Sequence, residues 1–354
     1  MAGPHTSTEA PHNFQEASKV LMQAVPDVSL EESVQLAHAV YGWTARAEWL
    51  SGERDKNVLL HVDDGRQMVL KFINAAETAA ETDVQVQVLH WLARVGCPVT
   101  VPVAVPTQAG DAVYHHIRHD GTALAVRAYS FLPGTSVAQA AMNDDLQYSF
   151  GRTAAQLVQA LAGFNHTALE RVLLWDVMHI GQLLPWAEQI LPEDDIKALI
   201  LQFLPRFAAN TLPALQSLPQ QVIHGDLSRS NTVLHADAPG KIAGVLDFGD
   251  LSYGPRILEL AIAASYAMDE NQAPQPALAR LVAGYQSILP LNAQETALLP
   301  HLILARWLQR IIISEWRAAQ FPENKTYIMR SNAQARRLAL LCRAWWSELG
   351  YTAA

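Results

Sequence analysis

One short stretch of the chain sets several polar residues among apolar ones at a spacing that suggests chemistry. It runs Val222-Ile223-His224-Gly225-Asp226-Leu227-Ser228-Arg229-Ser230-Asn231 and returns through 232–246 to Asp247-Phe248-Gly249-Asp250. Asp226 and Asn231 stand at the two ends of one loop. The polar turn Asp237-Ala238-Pro239-Gly240 implies an antiparallel hairpin that brings Asp247 back beside Asn231. An amide oxygen and a carboxylate at one point are hard ligands of the kind that Mg²⁺ on nucleotide phosphates requires. A carboxylate at the other end of the loop can accept or orient the proton of a hydroxyl nucleophile. The spacing therefore suits phosphoryl transfer to an alcohol, with Asp226 as base and Asn231 and Asp247 as metal ligands.

These residues need two kinds of surroundings, and the sequence supplies both. Ser29 and Glu32 form a capping-box pattern for a helix that runs to about Val40 and stops at Gly42. Short apolar runs follow, with Asp63-Asp64-Gly65 as a hairpin turn between Val58-Leu59-Leu60 and Met68-Val69-Leu70. Helical periodicity returns over 76–93, with Val84, Val88, Leu89 and Leu92 on one face and Gly96 beyond its end. Two more strands are expected at 112–117 and 123–130. After Leu132-Pro133-Gly134 the chain reads as helical, with long runs at 254–268, 276–288, 293–320 and 326–347. Residues 222–250 form a strand-and-turn island among those helices. The organisation predicted is a loose arm at 1–28, a small β-rich lobe at 29–132 and a larger helical lobe at 133–354.

His-x-Asp-x₄-Asn followed by Asp-Phe-Gly, in that order and joined by a hairpin, resembles the motif set of protein-kinase-like phosphotransferases. The fold class implied is α+β and bilobal, with nucleotide bound by the small lobe. Such a lobe supplies a phosphate-binding lysine, and Lys71 in Val69-Leu70-Lys71-Phe72 stands at the required place on an apolar strand. An acid on the following helix should hold that lysine. Asp83 is the first choice, with Glu81 and Gln85 as rivals. No Gly-x-Gly-x-x-Gly is present; Ser51-Gly52-Glu53-Arg54-Asp55-Lys56-Asn57 takes its place, so backbone amides and Asn57 are expected at the phosphates. The base of GTP or ATP is expected against hinge backbone from Ser130 to Leu132.

At these residues the chain also resembles the aminoglycoside phosphotransferase and choline kinase superfamily, in which His-Gly-Asp replaces His-Arg-Asp. Within it, the hydroxylysine kinase branch is most similar, carried by Val126-Arg127, Phe131-Leu132-Pro133-Gly134, Asp83-Val84-Gln85 and 244–254. Pro322-Glu323-Asn324-Lys325 with Tyr327 adds to that likeness. The resemblance implies transfer from GTP or ATP, with Mg²⁺, to the hydroxyl of an amino acid or amino alcohol, hydroxylysine favoured. Lys71 would bind the nucleotide phosphates and His224 would support the loop. The alternatives are an aminoglycoside, choline, ethanolamine or homoserine kinase, or a pseudokinase that binds nucleotide without catalysis. Lys71, Asp226, Asn231 and Asp247 occurring together speak against the last.

A zwitterionic acceptor needs an acid for its ammonium and a base for its carboxylate. Asp250 is a pocket acid or a cap for the helix that follows, and Asp176 is equally open to both roles. Arg306 sits on an apolar stretch, which implies a buried ion pair or a carboxylate clamp, with Arg310 one turn along. Glu259 is expected to tie its helix to the catalytic loop. His115, His116 and His119 read as a solvated strand rather than a metal cluster, since adjacent strand residues face opposite ways.

Composition limits the rest. Half of the 354 residues are apolar and 17% are charged, enough for large cores and unlike a disordered chain. A formal charge of −9 disfavours a nucleic-acid partner. Two cysteines cannot build a disulfide framework, and this suggests a reducing compartment. No basic-then-apolar leader is evident, and the apolar stretch at 298–314 is broken by Arg306 and Arg310, so no membrane partner and a cytoplasmic location are expected.

Overall fold

The computed structural model describes residues 23–52, 54–118 and 121–343. Most of the arm expected at 1–28, with His119 and the end of the last predicted helix, lies outside the described residues. Helix α1 (Leu30–Tyr41) starts where Ser29 accepts a hydrogen bond from the Glu32 amide at 3.0 Å and ends at Gly42 with φ 72°. Only half of the expected capping box forms there. Glu32 turns to His116 at 3.1 Å and Arg118 at 3.3 Å, which ties α1 to the sheet.

The small lobe is an antiparallel sheet of β1 (Ala45–Leu50), β2 (Lys56–Val62), β3 (Gln67–Phe72), β4 (Ala104–Val105), β5 (Tyr114–Ile117) and β6 (Ala123–Ser130), in the order β1-β2-β3-β6-β4, with β5 also on β6. Buried Val58, Leu60, Leu70, Phe72 and Val126 pack with Leu36, Ala37 and Tyr41 of α1. The complete capping box belongs to α2 (Ala79–Val95), between Thr78 and Glu81. Val84, Val88, Leu89 and Leu92 of α2 pack against Leu161, Phe164, Val222, Phe248 and Leu251, so this helix joins the sheet to the strand-and-turn island at 222–250.

The large lobe contains α3 (Asp144–Leu161), α4 (Leu184–Ile190), α5 (Asp195–Arg206), α6 (Leu212–Gln216), α7 (Ile257–Ala267), α8 (Pro274–Gln286), α9 (Ala293–Gln320), α10 (Lys325–Ile328) and α11 (Asn332–Leu341). Its island is β7 (Gln220–Ile223) paired with β10 (Ser252–Pro255), and β8 (Thr232–His235) paired with β9 (Ala238–Val245). Almost every residue of α7 is buried, so it forms the lobe's centre without an amphipathic face.

Two expectations are corrected. The helix predicted over 326–347 breaks between α10 and α11. Ser331 and Asn332, which favour caps and turns over helix interiors, turn instead to α9: Arg310 donates to Ser331 Oγ at 3.1 Å and Asn332 donates to Glu315 at 2.9 Å. Secondly, α9 does reach membrane-spanning length and hydropathy, with 28 residues, but 72% of its most apolar window is buried within the protein. Its apolar surface is core, and the interior supplies Arg306 with hydrogen-bond partners that lipid would not.

Candidate active site

The catalytic loop leaves β7 and is held from beneath by two buried residues. His224 Nδ1 accepts from the Asp226 amide at 3.3 Å, which leaves Nε2 to donate to Leu246 O at 3.1 Å, and the ring stands edge-on to Phe248. Glu259 of α7 accepts from the Gly225 amide at 3.2 Å. Gly225 has φ 80°, and a Cβ there would lie 2.3 Å from Asp250 O. Only glycine fits that crossing, which is the physical reason for Gly in the second position of the motif.

Asp226 emerges from this support into a nearly closed setting. Its Oδ2 accepts from Asn231 Nδ2 at 2.6 Å, and its Oδ1 lies 3.4 Å from Arg306 Nη2, which also donates to the Tyr266 hydroxyl at 3.5 Å. Burial raises its pKa to about 6, because Arg306 offsets only part of the desolvation while Asp250 and Asp247 push the same way as burial. The result is a carboxylate whose proton affinity lies near neutrality, as a general base requires.

Asp247 is treated in the opposite way. It is the only non-glycine among the described residues in the left-handed region, with φ 61°. That strained turn follows directly from β9, where the Leu246 amide donates to Asn231 O at 2.8 Å. Lys71, 3.9 Å away, is the main cause that lowers the Asp247 pKa to about 2. Asn231 gives its amide hydrogens to Asp226, and no described residue donates to its Oδ1. An uncommitted amide oxygen and a permanently ionised, 45% exposed carboxylate fit a hard divalent cation.

The helix acid expected for Lys71 is corrected. Asp83 is exposed and meets His166 at 3.0 Å, Glu81 meets Arg171 at 2.7 Å, and Gln85 accepts from Arg127 at 2.6 Å. Lys71 instead meets Asp55 of the β1–β2 loop at 2.8 Å. Burial alone would lower the lysine, but Asp247 and Asp55 outweigh it and raise its pKa. The reason lies in the sheet. Asn57, Lys71 and Arg127 are directly paired across β2, β3 and β6, so they share one face. Buried Arg127 donates to Thr82 O at 3.1 Å and lies 3.4 Å from Glu77, which precedes α2, while His166 and Arg171 take the helix acids Asp83 and Glu81, so α2 has no acid left for the lysine. Asp55 was missed, although a signal existed. The hairpin register puts it two residues from Asn57 and therefore on the face of Lys71.

The remaining candidates fall as follows. Asn57 donates to Ser51 O at 3.2 Å and braces the loop. The Ser130 and Phe131 amides are committed to Val103 O at 2.9 Å and Gln67 O at 3.1 Å, so neither is a spare donor for a base. Leu132 is buried at the junction of the lobes. Asp250 caps no helix; it meets Arg54 of the β1–β2 loop at 3.4 Å, which links the two lobes. Asp176 takes the cap role, accepting from the Met178 amide at 2.9 Å, and is buried. Arg306 is 1% exposed, donates to Trp175 O at 2.5 Å and Gln309 at 3.1 Å, and pairs with Asp226. Of its two expected roles, the buried ion pair is the one observed. His116 is paired to Glu32, and no metal-ligating group of three occurs among the described residues.

Known proteins resemble the chain in sequence and in fold. The sequence model of the phosphotransferase enzyme family (APH) matches residues 46–298. Hydroxylysine kinase of Danio rerio is 29% identical over 340 residues, 93% of this chain and 94% of that protein. Hydroxylysine kinase of Mus musculus is 28% identical over 330 residues, 86% and 87% of the two chains. Among solved structures, a microcompartment-associated aminopropanol kinase superposes with TM-score 0.66 at 20% identity, over 92% of this chain and 99% of that one. Amicoumacin kinase, solved with AMP-PNP and Ca²⁺, superposes with TM-score 0.63 at 15% identity, over 85% and 93%.

Proposed function

The chain belongs to the phosphotransferase enzyme family and is a small-molecule kinase, and from that we propose transfer of the γ-phosphate of GTP or ATP to the side-chain hydroxyl of hydroxylysine. The observation that carries the chemistry is the convergence of Asp226, Asn231, Asp247 and Lys71, with burial raising the Asp226 carboxyl and Lys71 lowering that of Asp247. Asp226 accepts the acceptor's hydroxyl proton, with Asn231 and Arg306 holding its two oxygens. Asn231 Oδ1 and Asp247 are the residues that hold Mg²⁺, which when bound neutralises phosphate charge. Lys71 exchanges part of its contact with Asp55 for a phosphate oxygen. Asp250 exerts the strongest acidic field on Asp226 and is the acid assigned to the acceptor's ammonium group. The choice of hydroxylysine rests on the hydroxylysine kinases that the chain resembles.

The test is phosphate transfer with each nucleotide and Mg²⁺ to hydroxylysine, ethanolamine, choline, homoserine and an aminoglycoside. Turnover of hydroxylysine well above the others is expected. Turnover of the aminoglycoside alone would overturn the acceptor.

A further inference from the structure

Helix α9 carries two arginines one turn apart on one face, and their surroundings differ sharply. Both Nη atoms of Arg306 are engaged, with Trp175 O, Gln309, Asp226 and, at 3.5 Å, Tyr266. Among the described residues, Arg310 meets the Ser331 hydroxyl at 3.1 Å and the face of Tyr266, whose ring centre lies 4.6 Å from its guanidinium. No carboxylate of the described residues lies within 4.0 Å of it. Arg306 and Arg330 add like charge, while Asp226 acts on Arg310 in the opposite sense. A part-buried guanidinium without a counter-ion is costly to keep, so this stretch has charge to offer an anion. Burial accordingly pulls Arg310 below the usual arginine range.

Tyr266 connects this charge to the chemistry. Arg306 Nη2 lies 3.4 Å from Asp226 and donates to the Tyr266 hydroxyl at 3.5 Å, while the face of the Tyr266 ring meets Arg310. A hydroxyl at Asp226 and an anion at Arg310 are therefore separated by the Arg306 contact and the phenol ring. That separation suits a molecule whose hydroxyl and carboxylate are several carbons apart, and it is too long for one or two. We propose that Arg310 is the acceptor's carboxylate-binding residue, so that the kinase selects hydroxylated amino acids over amino alcohols and aminoglycosides. This rests on the small-molecule kinase reading above and specifies its acceptor class.

The test compares hydroxylysine with the diamino alcohol formed by its decarboxylation, for the wild type, Arg310→Gln and Arg310→Lys. The wild type should favour hydroxylysine by roughly 10²-fold in kcat/KM, the scale of a charge-assisted, partly desolvated contact. Arg310→Gln should lower kcat/KM for hydroxylysine roughly 10- to 100-fold more than for the diamino alcohol, through KM. Arg310→Lys keeps the charge without the planar fork and should recover part of the difference, and its melting temperature reports on folding. Equal losses on both acceptors, or a wild type that does not discriminate, overturn the proposal. Efficient phosphorylation of an aminoglycoside but not of hydroxylysine overturns it while the kinase reading stands. Failure to phosphorylate any hydroxylated amine removes the kinase reading first, and the proposal with it.

Discussion

Asp226 and Asp247 flank one hairpin, in the loop before β8 and the turn after β9, yet their environments drive them about four pKa units apart. Asp226 is set deep beside α7 and α9, where one arginine offsets only part of its desolvation. Asp247 faces the small lobe, where Lys71 and Arg54 favour its charge. The large lobe thus makes a base and the small lobe makes an anion. Residue type alone would have given two similar carboxylates. Two lobes meeting at one hairpin are what allow the same side chain to take two roles.

The comparison can be broken at either end. Asp226→Asn removes the base and should cut kcat about 10²- to 10⁴-fold while nucleotide binding, followed by calorimetry, persists. Unchanged turnover on the true acceptor would remove Asp226 from the mechanism. Asp247→Asn should act on the other function, weakening Mg²⁺-dependent nucleotide binding by about 10- to 100-fold or more. If calorimetry found that binding intact, Asp247 would not be a metal ligand.

Two further measurements sharpen it. For the wild type, kcat/KM should rise with pH through about 6, because Asp226 must be deprotonated to act and its pKa is raised to that value. Arg306→Met removes the cation that opposes the desolvation, so the acidic limb should move to higher pH by about one unit or more. A limb that stayed in place would show that Arg306 does not set the base. The smallest effect is expected from Asp55→Asn. Lys71 keeps Asp247, so the loss should be about 1–3 kcal/mol of stability, read by denaturant unfolding, with a modest rise in KM for nucleotide.

The sequence alone determined the order of the elements because turn chemistry and periodicity are local. Gly42 and Gly96 stop helices where expected, Asp63-Asp64-Gly65 turns β2 into β3, and α9 spans the predicted 293–320. Asp226, Asn231 and Asp247 were legible for a related reason. A loop and a short hairpin bring them together whatever the rest of the chain does. The partners of long-range charges were not legible. Asp83, Glu81 and Gln85 all lie on the correct helix, but Arg127 and Arg171 arrive from other elements and claim the last two, while Asp83 turns to His166.

The same holds for Arg306 and Arg310. The sequence marked both as charges on an apolar helix but left open which was paired and which was available. Only packing against Trp175, Asp226 and Tyr266 decided it. Local pattern fixes where a group stands along its element. Desolvation and charge pairing depend on what other elements bring within a few ångströms, and so only the tertiary structure could set apart the base, the anion and the unpaired guanidinium.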